Sequence, residues 1–520
     1  MAPSFNLVDE PWIPCVTRQG RTEPLSLRDA LLRAHEYVEI RGESPPITAA
    51  LYRLLLAILH RNFGPADLLA WKAVWRTGRF EAAPLRDYLS QWRSRFDLCD
   101  PIHPFYQLPS LSDAEPGSVW RLAFVQGNNS TLFDHRTEHD SKAVPAAVAA
   151  RFLLAYQAFG LGGGVAKPFN FCHAPLAKQR GYVALVTGDS LFETLWLNAA
   201  IYSDRSPFPR SPDDAPAWEN DEFGKPVRSG TPVRGYLHYL TWQSRRIQLV
   251  HDSMNGLSFK EAVIAQGHAF PDDFGPHEPM FAYIRVKDRG FVPRPLSEGR
   301  SVWRDSHALL QSASEESKPP ASIERAAVLR LDGTLPSDRV LGLMIVGLCS
   351  DRAKISLWRH EGLPLPVALL ADEDRLTTVA RSVDAAEAAA KALGRSLWRL
   401  EVNILAPDGQ RKPDKDNVRN LVESLGHEAR YWSRLEHPFR SLVLDLGRAD
   451  GDDQRLAAEK SWAERVCRTA RQVFHQIVTA MEATPRVLRA VHRQAGAEHV
   501  LNSELRSITS IYKETAHEHA

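Results

Sequence analysis

The stretch FGLGGGVAKP, Phe159 to Pro168, places glycine at 160, 162, 163 and 164 and a lysine at 167. Glycine lets a backbone come close to a phosphate or a base, so a nucleotide-binding loop is the first chemistry to test. A phosphate loop needs GxxxxGK followed by Ser or Thr. Here the position required to be glycine is Val165, and Lys167 is followed by Pro168. The dinucleotide fingerprint GxGxxG fails at the same Val165. Both loops also run from a strand into a helix, whereas the apolar run AAVAARFLLAYQAF ahead of this one reads as a helix. Gly160 falls where a left-handed helix C-cap is expected, and the other three glycines exceed what a cap requires. A second stretch, HRTEH, matches HxxEH through His135, Glu138 and His139, the inverted zinc-hydrolase signature. That chemistry needs both histidines on one face of a helix, but turn formers surround them. A zinc metallohydrolase is therefore carried as the alternative function. No GxSxG occurs, and no spacing of Asp and Glu marks a catalytic pair.

Other stretches suit binding rather than catalysis. FVQGNNSTLF, Phe124 to Phe133, offers aromatics for stacking and the amides of Gln126, Asn128 and Asn129 for base edges. LGLMIVGLCSDRAKISLWRH reads as two strands around a turn whose tip carries Asp351, Arg352 and Lys354. Near the C-terminus, Lys460, Arg465, Arg468, Arg471, Arg486, Arg489, His492 and Arg493 gather on helical segments. The formal net charge is only +1, so any nucleic-acid affinity must come from a local basic face. Five cysteines (15, 99, 172, 349 and 467) form no CxxC, which speaks against a zinc ribbon or redox pair. No apolar run approaches the length of a membrane span, and MAPSFNLVDEPW lacks a secretory pattern, so a reduced cytoplasmic protein is expected.

The elements that must position these residues divide the chain. At 520 residues it exceeds one core. FNLVDEPWIPCV reads as a strand with a turn at Glu10-Pro11, LSLRDALLRA as a helix, and 47–64 as a buried helix. Residues 204–235 read as a long Pro- and Gly-rich loop, and GYLHYLTWQSRRIQLV as strands. From about 375 helix formers dominate: one helix over 379–400, a second over 417–436, a third over 455–482, then one or two more opened by Thr484-Pro485. The reading is α+β, a mixed α/β N-terminal domain over 1–374 followed by a C-terminal four-helix bundle over 375–520.

In their order, FNLVDEPWIPC, HPFYQ, FVQGNNSTLFDH, FGLGGG, GYLHYLTWQSRRIQL and SVWRDSHALL resemble CasA, the large subunit of the type I-E CRISPR Cascade complex. The resemblance spans essentially the whole chain. It implies a non-catalytic subunit that reads the protospacer-adjacent motif (PAM) of duplex DNA through the minor groove and helps open the duplex. It also implies presentation of the complex to a recruited helicase–nuclease. The implied partners are target DNA, the guide RNA, the other Cascade subunits and that nuclease, with no cofactor, metal or membrane. The family's glycine loop falls on Gly160, Gly162 and Gly163, its N-terminal loop on Phe124, Val125 and Gln126, and its strand-separating wedge on the 350–354 tip with Asp351, Arg352 and Lys354. Its PAM-contacting lysine is best matched by Lys260. Asp351 and Arg352 depart from Asn and Gln in a relative, and the zinc-binding cysteines of some relatives are absent.

Overall fold

A computed structural model describes residues 3–112, 114–124, 142–202, 208, 211–221, 226–252, 257–275, 278–310, 314–351, 354–406, 412–481, 484–492 and 496–514. The chain forms two compact units, one of Met1–Glu298, Ser312–Ala326 and Leu341–Gly362, the other of Gly299–Gln311, Ala327–Val340 and Leu363–Ala520.

The first unit is built around helix Pro45–Phe63, whose residues are buried on nearly every side. A helix with no polar face belongs inside a core, and each buried Leu or Ile contributes roughly 1.5–3 kcal/mol by leaving water. Its one buried cation, Arg53, is matched by Glu278 at 2.6 Å and lies over the Tyr239 ring. Helix Ala146–Phe159 packs on it. Strands Arg245–His251 and Ser258–Gln266 form an antiparallel pair, which strands Gly117–Ser118 and Val144–Pro145 extend into a four-stranded sheet. A second sheet orders Lys354–Pro366, Val340–Asp351 and Val183–Thr187. The expected two strands around residues 351–354 are thus a hairpin, with Asp351 and Lys354 ending its strands and only Arg352 and Ala353 between them, outside the described residues.

Two expectations fail here for tertiary reasons. GYLHYL is not a strand: Tyr236–Leu240 is a helical turn. Asp214, from the preceding loop, accepts hydrogen bonds from the N–H groups of Leu237 and His238 at 2.9 and 2.8 Å and caps it, a partner more than twenty residues away that no local pattern reveals. Nor is Gly160 a left-handed cap: its φ is −54°, and the positive φ values lie at Gly163 (103°) and Gly164 (76°).

The second unit is helical. Helix Glu373–Leu405 runs against Asp452–Ala480 and Ala497–Glu514, and Glu436–Arg448 packs on Asp452–Ala480. The helix expected over 417–436 is divided into Lys415–Ser424 and His427–Ser433, because Gly426 takes φ 60° between them; Glu436–Arg448 then follows as an unforeseen helix. Thr484 does cap Pro485–His492, accepting from Val487 N–H. The SVWRDSHALL stretch belongs to this unit. Trp303 is buried among Trp432, Phe439 and Trp462, while Arg300 and Arg304 both donate to Glu387 Oε1 at 2.7–2.9 Å.

Candidate nucleic-acid interface

The glycine run leaves helix Ala146–Phe159 and turns back on itself. Gly160 N–H still bonds Tyr156 O, and Gly160 O accepts from Ala174 N–H at 2.8 Å. Gly162 N–H donates to His173 Nδ1 at 2.9 Å, and Gly163 N–H to Phe171 O at 2.8 Å. Residues 160–163 and 171–174 are thus two limbs of a small hairpin. Its four glycines have different reasons. Gly160 and Gly162 are buried. A Cβ on Gly160 would sit 2.7 Å from Tyr156 O, and one on Gly162 2.9 Å from His173 N and 3.0 Å from Phe171 O. Those are backbone atoms that cannot step aside. Gly163 and Gly164 are exposed and left-handed, and a Cβ on Gly164 would meet nothing within 4 Å. The crown therefore consists of Gly163, Gly164, Val165 (94% exposed) and exposed Lys167.

The hairpin is held from below by Arg245. Its guanidinium donates to Leu161 O from Nη2 and to Cys172 O from Nη1, both at 2.8 Å, so one planar fork spans both limbs. It lies over the rings of Phe171 and Tyr156, 4.7 and 5.7 Å from their centroids. The side chain is fully buried, and burial pulls its pKa below the ordinary arginine value while Tyr156 works the other way. Gln157, on the last turn of the helix, accepts from Arg245 N–H and donates to Arg245 O, both at 2.8 Å, locking strand to helix. Arg246 reaches Lys167 O at 3.3 Å and Gln266 O at 2.8 Å, and Gln266 Oε1 accepts from Cys172 N–H. Burial also lowers the pKa of His173, helped by the positive charges of Arg180, Arg245 and Lys178. The ring is therefore neutral at pH 7, as an Nδ1 acceptor must be.

Phe124 joins this assembly. It has φ 59°, rare for an aromatic residue, and lies 5.4 Å from Tyr156 and 5.2 Å from Trp358, which also meets Phe159 at 5.6 Å. Trp358 sits in strand Lys354–Pro366, so one aromatic cluster gathers the start of the FVQGNN segment, the helix feeding the glycine run and the root of the 351–354 hairpin. Gln126 and Asn128 lie outside the described residues, as do Arg352 and the HxxEH residues His135, Glu138 and His139. Lys260 is exposed on strand Ser258–Gln266. The register passes from Val250↔Glu261 to His251↔Phe259, leaving Lys260 as the extra residue of a β-bulge, a device that re-aims a side chain. Gln266 lies six positions further along that strand, so Lys260 stands about 20 Å from the residue that tethers the glycine hairpin. Among the described residues, no group of three His, Cys, Asp or Glu is arranged to hold a metal ion.

In the second unit Arg465, Arg468, Arg486, Arg489 and His492 are exposed, while Arg471 is turned onto Asn502. The residues sequence reasoning missed are Arg245, Arg246, His173 and Trp358. Arg245 and Arg246 stand in the SRRIQL stretch, but nothing local separates a structural arginine there from a surface one.

The profile of the family described as CRISPR-associated protein Cse1 matches residues 6–473. The chain belongs to the Cse1 family. CRISPR-associated protein CasA/Cse1 of Thermus thermophilus is 35% identical over 489 residues, 88% of this chain and 91% of the relative. The crystal structure of Thermus thermophilus CasA superposes with TM-score 0.78 at 29% identity, covering 97% of this chain and 99% of the other. Cse1 from Acidimicrobium ferrooxidans gives TM-score 0.81 over 99% of both chains, and at 24% identity shows the shared fold. The resemblance to CasA of type I-E Cascade, read from the ordered motifs, stands on these matches.

Proposed function

We propose that this Cse1-family chain is the non-catalytic subunit that reads the PAM in duplex DNA for its Cascade complex. In this reading it recognises the flanking base pairs through the minor groove, promotes duplex opening and R-loop formation beside the guide RNA, and presents the opened complex to the helicase–nuclease. The observation that supports it most is the crown of the glycine hairpin. Gly163 and Gly164 offer a backbone edge with no side chain, projecting from a base locked by Arg245, His173 and Phe171. Such an edge suits a groove about 6 Å wide whose chemical code is little more than A·T against G·C. The exposed Lys167 and the cations around His173 supply a positive field for phosphates. Phe124, Gln126 and Asn128 stand next to that groove in this reading, and Asp351, Arg352 and Lys354 at the point where strands part. Lys260 contacts the duplex farther along, and Arg465 and Arg468 hold the displaced strand by its backbone.

The test is reconstitution of the complex with and without this chain, measuring affinity for guide-matched duplexes whose flanking base pairs are correct or altered. The expected result is tight binding only with the chain present and the correct flank. Equal affinity in all four combinations would leave the chain a scaffold and overturn the reading.

A further inference from the structure

We infer that Arg245 is a positioning residue for DNA reading, a buried clamp that sets the reach of the glycine hairpin. The inference rests on that hairpin being the PAM-reading element. A hairpin whose outgoing limb is mostly glycine has little core of its own. Between Gly160 and Ala174 its limbs are joined by Ala174 N–H to Gly160 O, Gly162 N–H to His173 Nδ1, and Gly163 N–H to Phe171 O. Glycine backbones surrender the most freedom on ordering, so such a segment would sample many shapes unless something external fixed it. Arg245 does so from one point. Its fork ties Leu161 O on the outgoing limb to Cys172 O on the returning limb, and its third contact, Ser244 O at 2.9 Å, is the carbonyl just before its own strand. The same guanidinium lies 3.1 Å from where a Gly160 Cβ would stand, so the first glycine is what lets the clamp approach.

A guanidinium buried this completely costs free energy unless it is repaid by pairing. Among the described residues Arg245 forms no ion pair with a carboxylate; its partners are carbonyl oxygens and aromatic faces. A residue needed only to fill this space would be apolar, because apolar replacements of buried charges are commonly neutral or stabilising. What a guanidinium alone provides is planar, two-ended recognition of two carbonyls on different limbs. Arg246, the next residue, ties the far side of the loop at Lys167 O. Successive residues of one strand thus hold the hairpin at its base and beyond its crown.

The test uses complexes reconstituted with Arg245→Gln and Arg245→Lys chains. Two probes are compared: a guide-matched duplex pool with the three flanking base pairs randomised, and the guide-matched single strand, which needs no PAM reading. Amide exchange at residues 161–163 is followed in the same complexes. For Arg245→Gln the expected outcome is faster exchange at those amides, duplex affinity at least tenfold weaker and single-strand affinity within twofold of the parent. Arg245→Lys keeps the charge but lacks the rigid planar fork that spans both carbonyls, so it moves the same way by roughly threefold to tenfold; it carries the test if Arg245→Gln does not assemble. Unchanged exchange in an assembled variant overturns the clamp. Faster exchange with duplex affinity within twofold, while Gly164→Asn weakens duplex binding, overturns its role in reading. If Gly164→Asn is equally silent, the hairpin's DNA role fails, and the clamp's role in reading fails with it.

Discussion

The decisive perturbation is at Gly164, where a turn and a groove-reading edge make opposite demands. Its φ of 76° is left-handed, and a Cβ there meets no atom within 4 Å. In the free chain, therefore, Gly164→Ala introduces no clash and only backbone strain. That strain is about 1–2 kcal/mol for a residue with a Cβ. At 1.4 kcal/mol per tenfold, the cost reaches about 5- to 30-fold in any equilibrium that requires the hairpin in this shape. Asparagine tolerates the left-handed region far better, so Gly164→Asn keeps the shape at little strain while adding a side chain. If Gly164 only turns the chain, Asn restores what Ala loses. If the backbone must enter a groove about 6 Å wide, the Asn side chain meets its floor or walls. Forcing extra atoms into a fitted space costs about 1–3 kcal/mol, roughly 5- to 150-fold in affinity. The prediction is that Asn weakens PAM-duplex binding by the assembled complex at least as much as Ala does, with complex assembly and single-strand binding unchanged. The assay is equilibrium binding of labelled duplex, with correct and altered flanks, at fixed salt. Wild-type affinity for Gly164→Asn would refute the argument from a side-chain-free edge, whatever Ala does.

Three further outcomes follow from the same structure. Glu387→Ala removes the acceptor shared by half-buried Arg300 and buried Arg304, and should destabilise the helical unit by about 2 kcal/mol in urea unfolding; a change below about 0.5 kcal/mol would deny the network that role. Burial depresses the pKa of both His60 and His238 to about 3. Their contribution to stability is thus present above the unfolded value near 6.5 and lost as pH falls from there towards 3. Between pH 6.5 and 5 the loss is about 2 kcal/mol for each ring, and histidine-labelled NMR should find both still neutral at pH 5. A charged ring at that pH would contradict the burial argument. Finally, Arg465→Ala combined with Arg468→Ala should weaken DNA binding without altering flank preference and reduce the logarithmic salt slope by up to about 2, as loss of two phosphate contacts requires; a changed preference would rule out a backbone role.

What could be read in advance divides by the range of the interactions concerned. Helix Ala146–Phe159, the Thr484 cap and the 340–366 hairpin were legible because periodicity, capping residues and paired apolar runs act over a few residues. The helical turn at Tyr236–Leu240 was not, since its cap Asp214 comes from a distant loop. The break at Gly426 leaves no local mark, because glycine inside an otherwise helical pattern can continue or end a helix and surrounding packing decides. At the interface, residue types suggested the glycine run, Phe124 and the hairpin tip, and only the family resemblance suggested Lys260. Arg245 was invisible: a buried arginine whose main partners are carbonyls 73 and 84 residues away leaves no local mark.

The glycine run itself shows how one composition signal can hide two physical demands. Gly160 and Gly162 are small because backbone atoms and Arg245 crowd them; Gly163 and Gly164 are glycine because their φ values exclude most other residues. The first pair lets the hairpin sit down on its clamp, and the second pair lets its crown turn outward bare. These demands separate experimentally. Alanine at Gly162 presses against His173 N and Phe171 O, so it should disturb the hairpin even without DNA. Asparagine at Gly164, which tolerates the left-handed region, leaves the free hairpin in place and is felt only when something approaches closely. A phosphate loop turns free backbone N–H groups onto its ligand, whereas the N–H groups of Gly160, Gly162 and Gly163 are bonded within the protein. In this hairpin only the crown is available, which is why a run that fails the phosphate-loop pattern still fits a groove-reading edge.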